Sequence, residues 1–347
     1  MMQTSSTTKG AMSSGRGEAP PILTIENLAV RFPSLSGYIH AVRGISLTLG
    51  AGDSVAIVGE SGSGKSVTSR SILGLVNSPP AELSGSIRFR GQEIIGASES
   101  RLRPIRGKGV GMVFQDSLDS LNPVYSVGSQ IAENLKVGLG WSKADAMEEA
   151  ARLLRQVEIP AGRERLNDYP HQFSGGMRQR ICIAMAISMK PQLLIADEPT
   201  TALDVTVQAG ILRLIKRLQR DSNMALIFVT HDLSVARRIA DRLVVMYAGR
   251  VVEQGPIEEV FSHPSHPYTR ALLYSHPDSV RRWTELRPIF GRPPEKTEVT
   301  PGCAFHPRCP WVQEKCRTND PEMLGAGRNH ASRCHFTVEQ QDALKSS

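Results

Sequence analysis

The sequence predicts an α/β fold: a central parallel sheet wrapped by helices, followed by a loop-rich appendage. Three observations carry this. Short apolar runs at Ser54–Val58 and at residues 193–196 and 225–229 have the length and branched side chains of buried strands. Stretches of helical periodicity lie between them, and a glycine-rich turn follows the first run at once. From His263 onward proline breaks up every pattern, and four of the five cysteines gather in that region.

Each element follows in chain order. Residues 1–20 are rich in Ser, Thr and Gly with almost no large apolar side chains, so a disordered tail is expected there. Residues 22–32 and 41–49 alternate apolar and polar positions and read as two strands joined by a Pro/Ser/Gly loop. The run Ser54–Val58 reads as a buried strand, with a helix starting near Lys65. Residues 85–89 and 109–114 read as further strands, and 143–157 carries Ala and Leu at helical spacing. The helical pattern at 207–219 lies between the runs at 193–196 and 225–229, giving a strand–helix–strand unit and hence a parallel sheet. Residues 243–247 and 250–253, joined through Ala248 and Gly249, read as a closing hairpin. A boundary falls near residue 262, dividing a main domain (21–262) from a C-terminal region (263–347) that begins with a short helix at 268–275.

Composition narrows the function. Forty per cent apolar and 22% charged residues exclude wholesale disorder. No apolar run approaches the roughly 20 residues that cross a bilayer, and no apolar segment backs the N-terminus as a secretory signal would. Aromatic residues at 5% argue against a stacking-based binder of single-stranded nucleic acid. The net charge of +7 fits an anionic partner, but it is scattered without a dense Lys/Arg block, so nucleic acid is not the expected one.

One motif names the anion. Gly59-Glu60-Ser61-Gly62-Ser63-Gly64-Lys65-Ser66 fits G-x-x-x-x-G-K-[S/T] and lies between a strand and a helix that runs on through Val67. The glycines let successive backbone N–H groups converge on phosphate, and the helix N-terminus adds partial positive charge. Lys65 would reach the β- and γ-phosphates and the Ser66 hydroxyl would ligate Mg²⁺. A turn without chemistry is the alternative, and agreement over the whole motif with the right flanks argues against it. Asp197 and Glu198 end a buried apolar strand, a costly place for two carboxylates unless a cation or ligand waits there. Asp197 would hold Mg²⁺ through water, and Glu198 would polarise a water for in-line attack. Ser174-Gly175-Gly176-Met177 opens a further helix and offers a second anion-binding geometry, surplus to one nucleotide and so suited to one held by another subunit.

With these segments in this order, residues 22–260 resemble the nucleotide-binding subunit of ATP-binding-cassette (ABC) transporters. Thr201-Ala202-Leu203-Asp204 matches the family's D-loop, Gln115 its Q-loop glutamine and His231 its switch histidine. The resemblance implies a P-loop NTPase cassette with a central parallel sheet and helices, an antiparallel β subdomain and a helical subdomain carrying the signature. It implies a head-to-tail dimer in which ATP on Lys65 is capped by the partner's signature, while Ser174 and Gly176 cap the partner's ATP. Gln115 would sense Mg²⁺ and the attacking water, His231 would contact the γ-phosphate, and Asp204 would cross the dimer seam. Phe32 and Tyr38 are both candidates to stack on adenine. Phe173 and Met177 depart from the family's commonest Leu-Ser-Gly-Gly-Gln signature, yet Ser174 and both glycines remain. With Glu198 and His231 both present, the site is expected to hydrolyse ATP.

Residues 113–123, 169–180, 197–208 and 266–273 are similar to the ATPase subunits of oligopeptide, dipeptide and nickel importers, with Ser117 a minor departure. Cys303, Cys309, Cys316 and Cys334 lie in a stretch similar to the C-terminal region of that family's first ATPase subunit. That similarity favours a [4Fe-4S] cluster on the four thiolates. Zinc is the alternative, although no close Cys-x2–4-Cys knuckle occurs, and simple packing of reduced thiols is the third reading. Cys182 stands apart and reads as a small buried hydrophobe. The expected partners are a second, non-identical ATPase subunit, two transmembrane permease subunits met through residues 115–123, and a separate solute-binding protein. The expected location is the cytoplasmic face of a bacterial inner membrane, as a peripheral subunit. A non-peptide solute such as nickel is one alternative. A non-transport cassette ATPase is another, disfavoured because residues 65–174 contain no sustained heptads.

Overall fold

The chain opens on two long antiparallel strands, β1 (Leu23–Ser34) and β2 (Gly37–Leu49), then enters the short β3 (Ser54–Val58) and helix α1 (Lys65–Ile72). β4 (Glu82–Phe89) and β5 (Gln92–Glu93) return to β1, which places β2-β1-β4-β5 in one antiparallel sheet. After α2 (Glu99–Leu102) and β6 (Val110–Val113) the chain becomes helical, through α3 (Val127–Leu139), α4 (Lys143–Gln156) and α5 (Gly175–Ile187). It then alternates: β7 (Leu193–Asp197), α6 (Val205–Ser222), β8 (Ala225–Thr230), α7 (Leu233–Ile239) and the hairpin β9 (Arg242–Tyr247) and β10 (Arg250–Pro256). α8 (Ile257–Ser262) and α9 (Pro267–Tyr274) follow, and α10 (Glu314–Thr318), β11 (Leu324–Gly327), β12 (His330–Ser332) and α11 (Val338–Ala343) close the chain. This computed structural model describes residues 20–115, 120–201, 203–275, 289–294, 297, 299–327 and 329–343. Residues 1–19 of the tail expected at 1–20, residues 116–119 of the permease-facing stretch and Ala202 of the D-loop lie outside the described residues.

The second sheet runs β11-β12-β10-β9-β3-β8-β7-β6, and its strands β9, β3, β8, β7 and β6 are mutually parallel. Every residue of β3, β7 and β8 is buried, as expected when both faces of a parallel sheet are covered. The pleat divides the core in two. Val55, Ile57, Ile195 and Val229 face the antiparallel sheet, while Ala56, Val58, Ala196 and Phe228 face the helices. The helices are set by their sequence. Ser142 Oγ accepts from the Asp145 N–H at 3.1 Å to start α4, whose Ala146, Ala150, Leu153 and Leu154 form one buried stripe. Asp204 caps α6 in the same way, and Asn223 in the left-handed conformation ends it.

The C-terminal region does more than loop. β12 pairs with β10 through Glu253↔Ser332 and Gln254↔Ala331, and β11 pairs with β12, so the main sheet is extended by late residues. No apolar alternation marks these strands in the sequence, because strands this short are held mainly by backbone pairing. A wholly buried carboxylate fastens the joint. Glu253 Oε1 accepts from the Ser265 N–H (2.6 Å) and lies 2.7 Å from His330 Nε2, while Oε2 accepts from the His266 N–H (2.9 Å). Among the described residues no helix is long and apolar enough to cross a membrane.

Candidate functional site

Parallel strands deliver their C-terminal ends to one edge of the sheet, and the predicted residues lie at those ends. β3 ends at Val58 opposite Thr230, β7 ends at Asp197 opposite Val229, and β6 ends at Val113 opposite Ala196. The loop 59–64, Asp197 with Glu198, His231 and Gln115 therefore leave neighbouring strands on the same side. The turn after β3 needs its glycines. Gly59 (φ +154°) and Gly64 (φ +102°) have positive φ, and a Cβ there would lie 2.2 Å from the Met246 carbonyl oxygen and 2.3 Å from that of Ala41.

Phe32, Ser61, Gly62, Gly64, Lys65, Ser66, Val67, Gln115 and Glu198 line one cavity of about 300 Å³. Lys65 is buried, and its Nζ donates to the carbonyls of Gly59 (2.8 Å) and Glu60 (3.0 Å). Burial lowers its pKa, opposed by the charges of Glu198 and Asp197. Ser66 Oγ donates to Asp197 Oδ1 at 3.1 Å, and Asp197 Oδ2 is buried with no hydrogen-bond partner among the described residues. Burial accordingly raises the Asp197 pKa, with the Ser66 hydrogen bond pulling the other way. An orphaned buried carboxylate oxygen beside a hydroxyl suits a hard cation with oxygen ligands. Glu198 sits at positive φ (48°), an uncommon conformation for its residue type. Its Oε2 accepts from Thr201 Oγ1 (3.0 Å) and lies 3.2 Å from His231 Nδ1.

The other predicted residues are placed apart from this cavity. Tyr38 donates its hydroxyl to Glu82 Oε1 (2.7 Å) under the Arg31 guanidinium, whereas Phe32, facing Ile39 across the β-ladder, does line the cavity. Ser174 caps α5, its Oγ accepting from the Met177 N–H at 3.3 Å, and Gly175 and Gly176 form the first helical turn. The two departures from the common signature share one neighbour. Arg165 stacks over the Phe173 ring at 4.0 Å, and its Nη1 lies 3.8 Å from the Met177 sulfur. Asp204 Oδ1 accepts from the Val207 N–H at 2.9 Å.

The iron–sulfur assignment is corrected. Cys303, Cys309, Cys316 and Cys334 do line one cavity, but it holds only about 20 Å³ and is shared with Phe305, Trp311 and Phe336. Among the described residues no group of three or more His, Cys, Asp or Glu is arranged to hold a metal ion, so neither the cluster nor zinc has a site. The local environment is that of thiols packed among aromatic rings. Burial pushes Cys303 up to about 11 and Cys309 up to about 12, and raises Cys334 as well. Cys182 is buried, with its thiol pushed up to about 12.

Sequence reasoning missed two contacts on the phosphate loop. Arg308 pairs with the Glu60 carboxylate, and the Tyr268 hydroxyl accepts from the Glu60 N–H at 2.9 Å. Nothing local to either residue signals this, since they are separated from Glu60 by more than two hundred positions.

Residues 42–201 match the ABC transporter family, and 252–316 match the oligopeptide/dipeptide transporter C-terminal region. The dipeptide transport ATP-binding protein DppD of Escherichia coli is 46% identical over 320 residues, covering 92% of this chain and 97% of that protein. The chain belongs to the ABC transporter ATP-binding proteins. As a member of that family it hydrolyses ATP, with Mg²⁺, in a reaction coupled to transport. A peptide import ATP-binding protein of Brucella melitensis is 48% identical over 326 residues, covering 90% of this chain and 96% of the relative. An ATP-binding cassette solved as a dimer in a post-hydrolysis state with ADP and phosphate superposes with a TM-score of 0.61 at 27% identity, over 68% of this chain and 98% of that one. A second solved structure, cbiO1 of Clostridium perfringens, part of an ABC transporter complex, gives 0.60 at 29% identity, over 70% of this chain and 91% of that one.

Proposed function

We propose that this ABC ATPase is one of two cassette subunits powering a bacterial peptide importer, docked on a permease pair at the inner face of the inner membrane and fed by a separate solute-binding protein. The names of relatives matched over nearly their whole length support peptide import. The observation that carries the catalytic reading is the meeting of Lys65, Ser66, Gln115 and Glu198 on one cavity, with the unpartnered Asp197 oxygen beside Ser66. Residues 21–262 form the ATP-binding cassette in this reading. Residues 263–347 form an importer-type C-terminal region whose thiols pack.

Residues 59–67 bind the phosphates, with Lys65 Nζ leaving the Gly59 and Glu60 carbonyls for the β- and γ-phosphate oxygens. Ser66, Asp197 and Gln115 would hold Mg²⁺, which would neutralise phosphate charge. Phe32 rather than Tyr38 stacks on adenine, because Tyr38 is committed to Glu82. Glu198 accepts the proton of the attacking water at Oε2, oriented by Thr201, while His231 beside it contacts the γ-phosphate. Ser174, Gly175, Gly176 and Met177 lie off this cavity, which supports their use on the ATP of a partner cassette. Asp204 then acts at the seam by fixing the start of α6.

The test is Glu198→Gln in the assembled transporter. The variant retains ATP and loses steady-state hydrolysis by on the order of a hundredfold or more. Undiminished turnover would remove Glu198 from the mechanism.

A further inference from the structure

Glu60 is the most heavily anchored residue of the phosphate loop, and its anchors come from the C-terminal region. Its carboxylate receives both Arg308 Nη1 (2.8 Å) and Arg308 Nη2 (3.0 Å), and its N–H donates to the Tyr268 hydroxyl (2.9 Å). Its carbonyl accepts from Lys65 Nζ (3.0 Å). Arg308 is itself held rigidly. Its side chain is 4% exposed, Nε donates to the Phe290 carbonyl (3.0 Å), and Nη1 reaches the Tyr247 hydroxyl (3.3 Å). Tyr247 and Tyr268 pack together with ring centroids 4.6 Å apart, so the two anchors form one block.

We propose that Arg308, assisted by Tyr268, is a positioning residue for the phosphate loop, so that the C-terminal region sets this chain's ATP affinity. The proposal rests on reading residues 59–66 as the ATP site. Gly59, Gly62 and Gly64 all have positive φ, and a loop so rich in glycine loses much conformational freedom when it closes on phosphate. Fixing Glu60 at both backbone and side chain meets part of that cost before ATP arrives. A two-pronged guanidinium–carboxylate pair with a buried guanidinium is suited to this because it fixes direction as well as distance. Glu198 and Asp197 belong to a different strand end, so releasing Glu60 weakens binding more than it slows the chemical step.

The experiment uses the full-length chain titrated with a fluorescent ATP analogue, and the assembled transporter for steady-state hydrolysis. Arg308→Gln raises the analogue Kd and the ATP KM by roughly tenfold, with kcat within about twofold of wild type. Arg308→Lys recovers part of the loss, since it keeps the charge but not the fork. The double variant Arg308→Gln/Glu60→Gln is no weaker than the worse single one, because both remove the same contact. Should Arg308→Gln fold poorly, Tyr268→Phe removes only the acceptor for the Glu60 N–H and raises Kd by about threefold. A lower melting temperature with unchanged Kd in both Arg308→Gln and Tyr268→Phe would reduce the contact to a structural brace and overturn the proposal. Lys65→Ala separates the two readings. If it abolishes binding while the Arg308 and Tyr268 variants bind normally, only the positioning role fails. If Lys65→Ala also binds normally, the ATP-site reading fails with it.

Discussion

Replacing Glu253 by Gln tests how the C-terminal region is fastened to the cassette. The carboxylate is fully buried and takes three partners: the N–H groups of Ser265 and His266 and the Nε2 of His330. Glutamine keeps the shape but turns one oxygen into an NH₂ group, which must face a donor. If the NH₂ takes the Oε2 place it opposes the His266 N–H, and if it takes the Oε1 place it opposes the Ser265 N–H. One lost hydrogen bond to a charged acceptor costs about 1.5–3 kcal/mol, and an unpaired buried donor adds to this, so a total of about 3–5 kcal/mol follows. For a chain of 347 residues that corresponds to a melting temperature lower by roughly 4–7 °C. Scanning calorimetry of the full-length chain measures it, and hydrogen exchange locates it, with protection lost first in β11, β12 and the start of α9. A melting temperature within about one degree of wild type would refute the argument, because no rearrangement of the amide satisfies every donor there.

Three further outcomes are expected. Phe32→Ala raises the ATP KM by about tenfold, the loss of one base–aromatic stack, whereas Tyr38→Ala leaves it near wild type; the reverse order would reassign the adenine contact. Arg165→Ala frees both Phe173 and Met177 at the start of α5, and should lower ATPase activity in the assembled transporter while leaving ATP binding by the isolated chain unchanged. His266 is buried, and desolvation lowers its pKa to about 3 while its Nδ1 accepts from the Tyr268 N–H. The unfolded chain binds a proton near pH 6.5 that the folded chain refuses, so this residue's share of stability is complete above about pH 6.5 and falls by up to about 1.4 kcal/mol per unit below it. Urea unfolding of His266→Asn, which keeps the capping acceptor, should show a flatter acid limb.

The site was legible wherever its chemistry is written locally. The glycines before Lys65 and Ser66 are forced by positive φ and by carbonyls that would meet a Cβ, so they form a recognisable string in the sequence. Asp197 and Glu198 stand out because a buried apolar strand ends on them. Phe32 and Tyr38 could not be separated by pattern, since both flank the same hairpin. Only the pairing of Tyr38 with Glu82, from another strand, tells them apart. Cysteine spacing was a poor guide for a different reason. It reports proximity along the chain and says nothing about the size or the other walls of the cavity the sulfurs share, which here is about 20 Å³ and is lined also by Phe305, Trp311 and Phe336.

What the sequence hid is long-range and held by single side chains. β11 and β12 carry no alternating pattern, yet β12 pairs with β10 beside Glu253, and Glu253 orients the segment from Ser265 to His266 that begins α9. α9 carries Tyr268 to the phosphate loop, and the turn between Cys303 and Cys309 carries Arg308 to the same residue. A buried carboxylate, a buried histidine and a buried arginine therefore join the end of the chain to Lys65 through Glu60. Glu253 is satisfied by Ser265, His266 and His330 at the start of α9, and Arg308 by Glu60, Tyr247 and Phe290; α9 and the phosphate loop meet again through Tyr268 and Glu60, so the C-terminal region and the loop should lose order together. Hydrogen exchange gives that coupling a direct reading. In Glu253→Gln, amides of residues 60–64 should lose protection alongside those of β12, although no atom of Glu253 bonds to the loop.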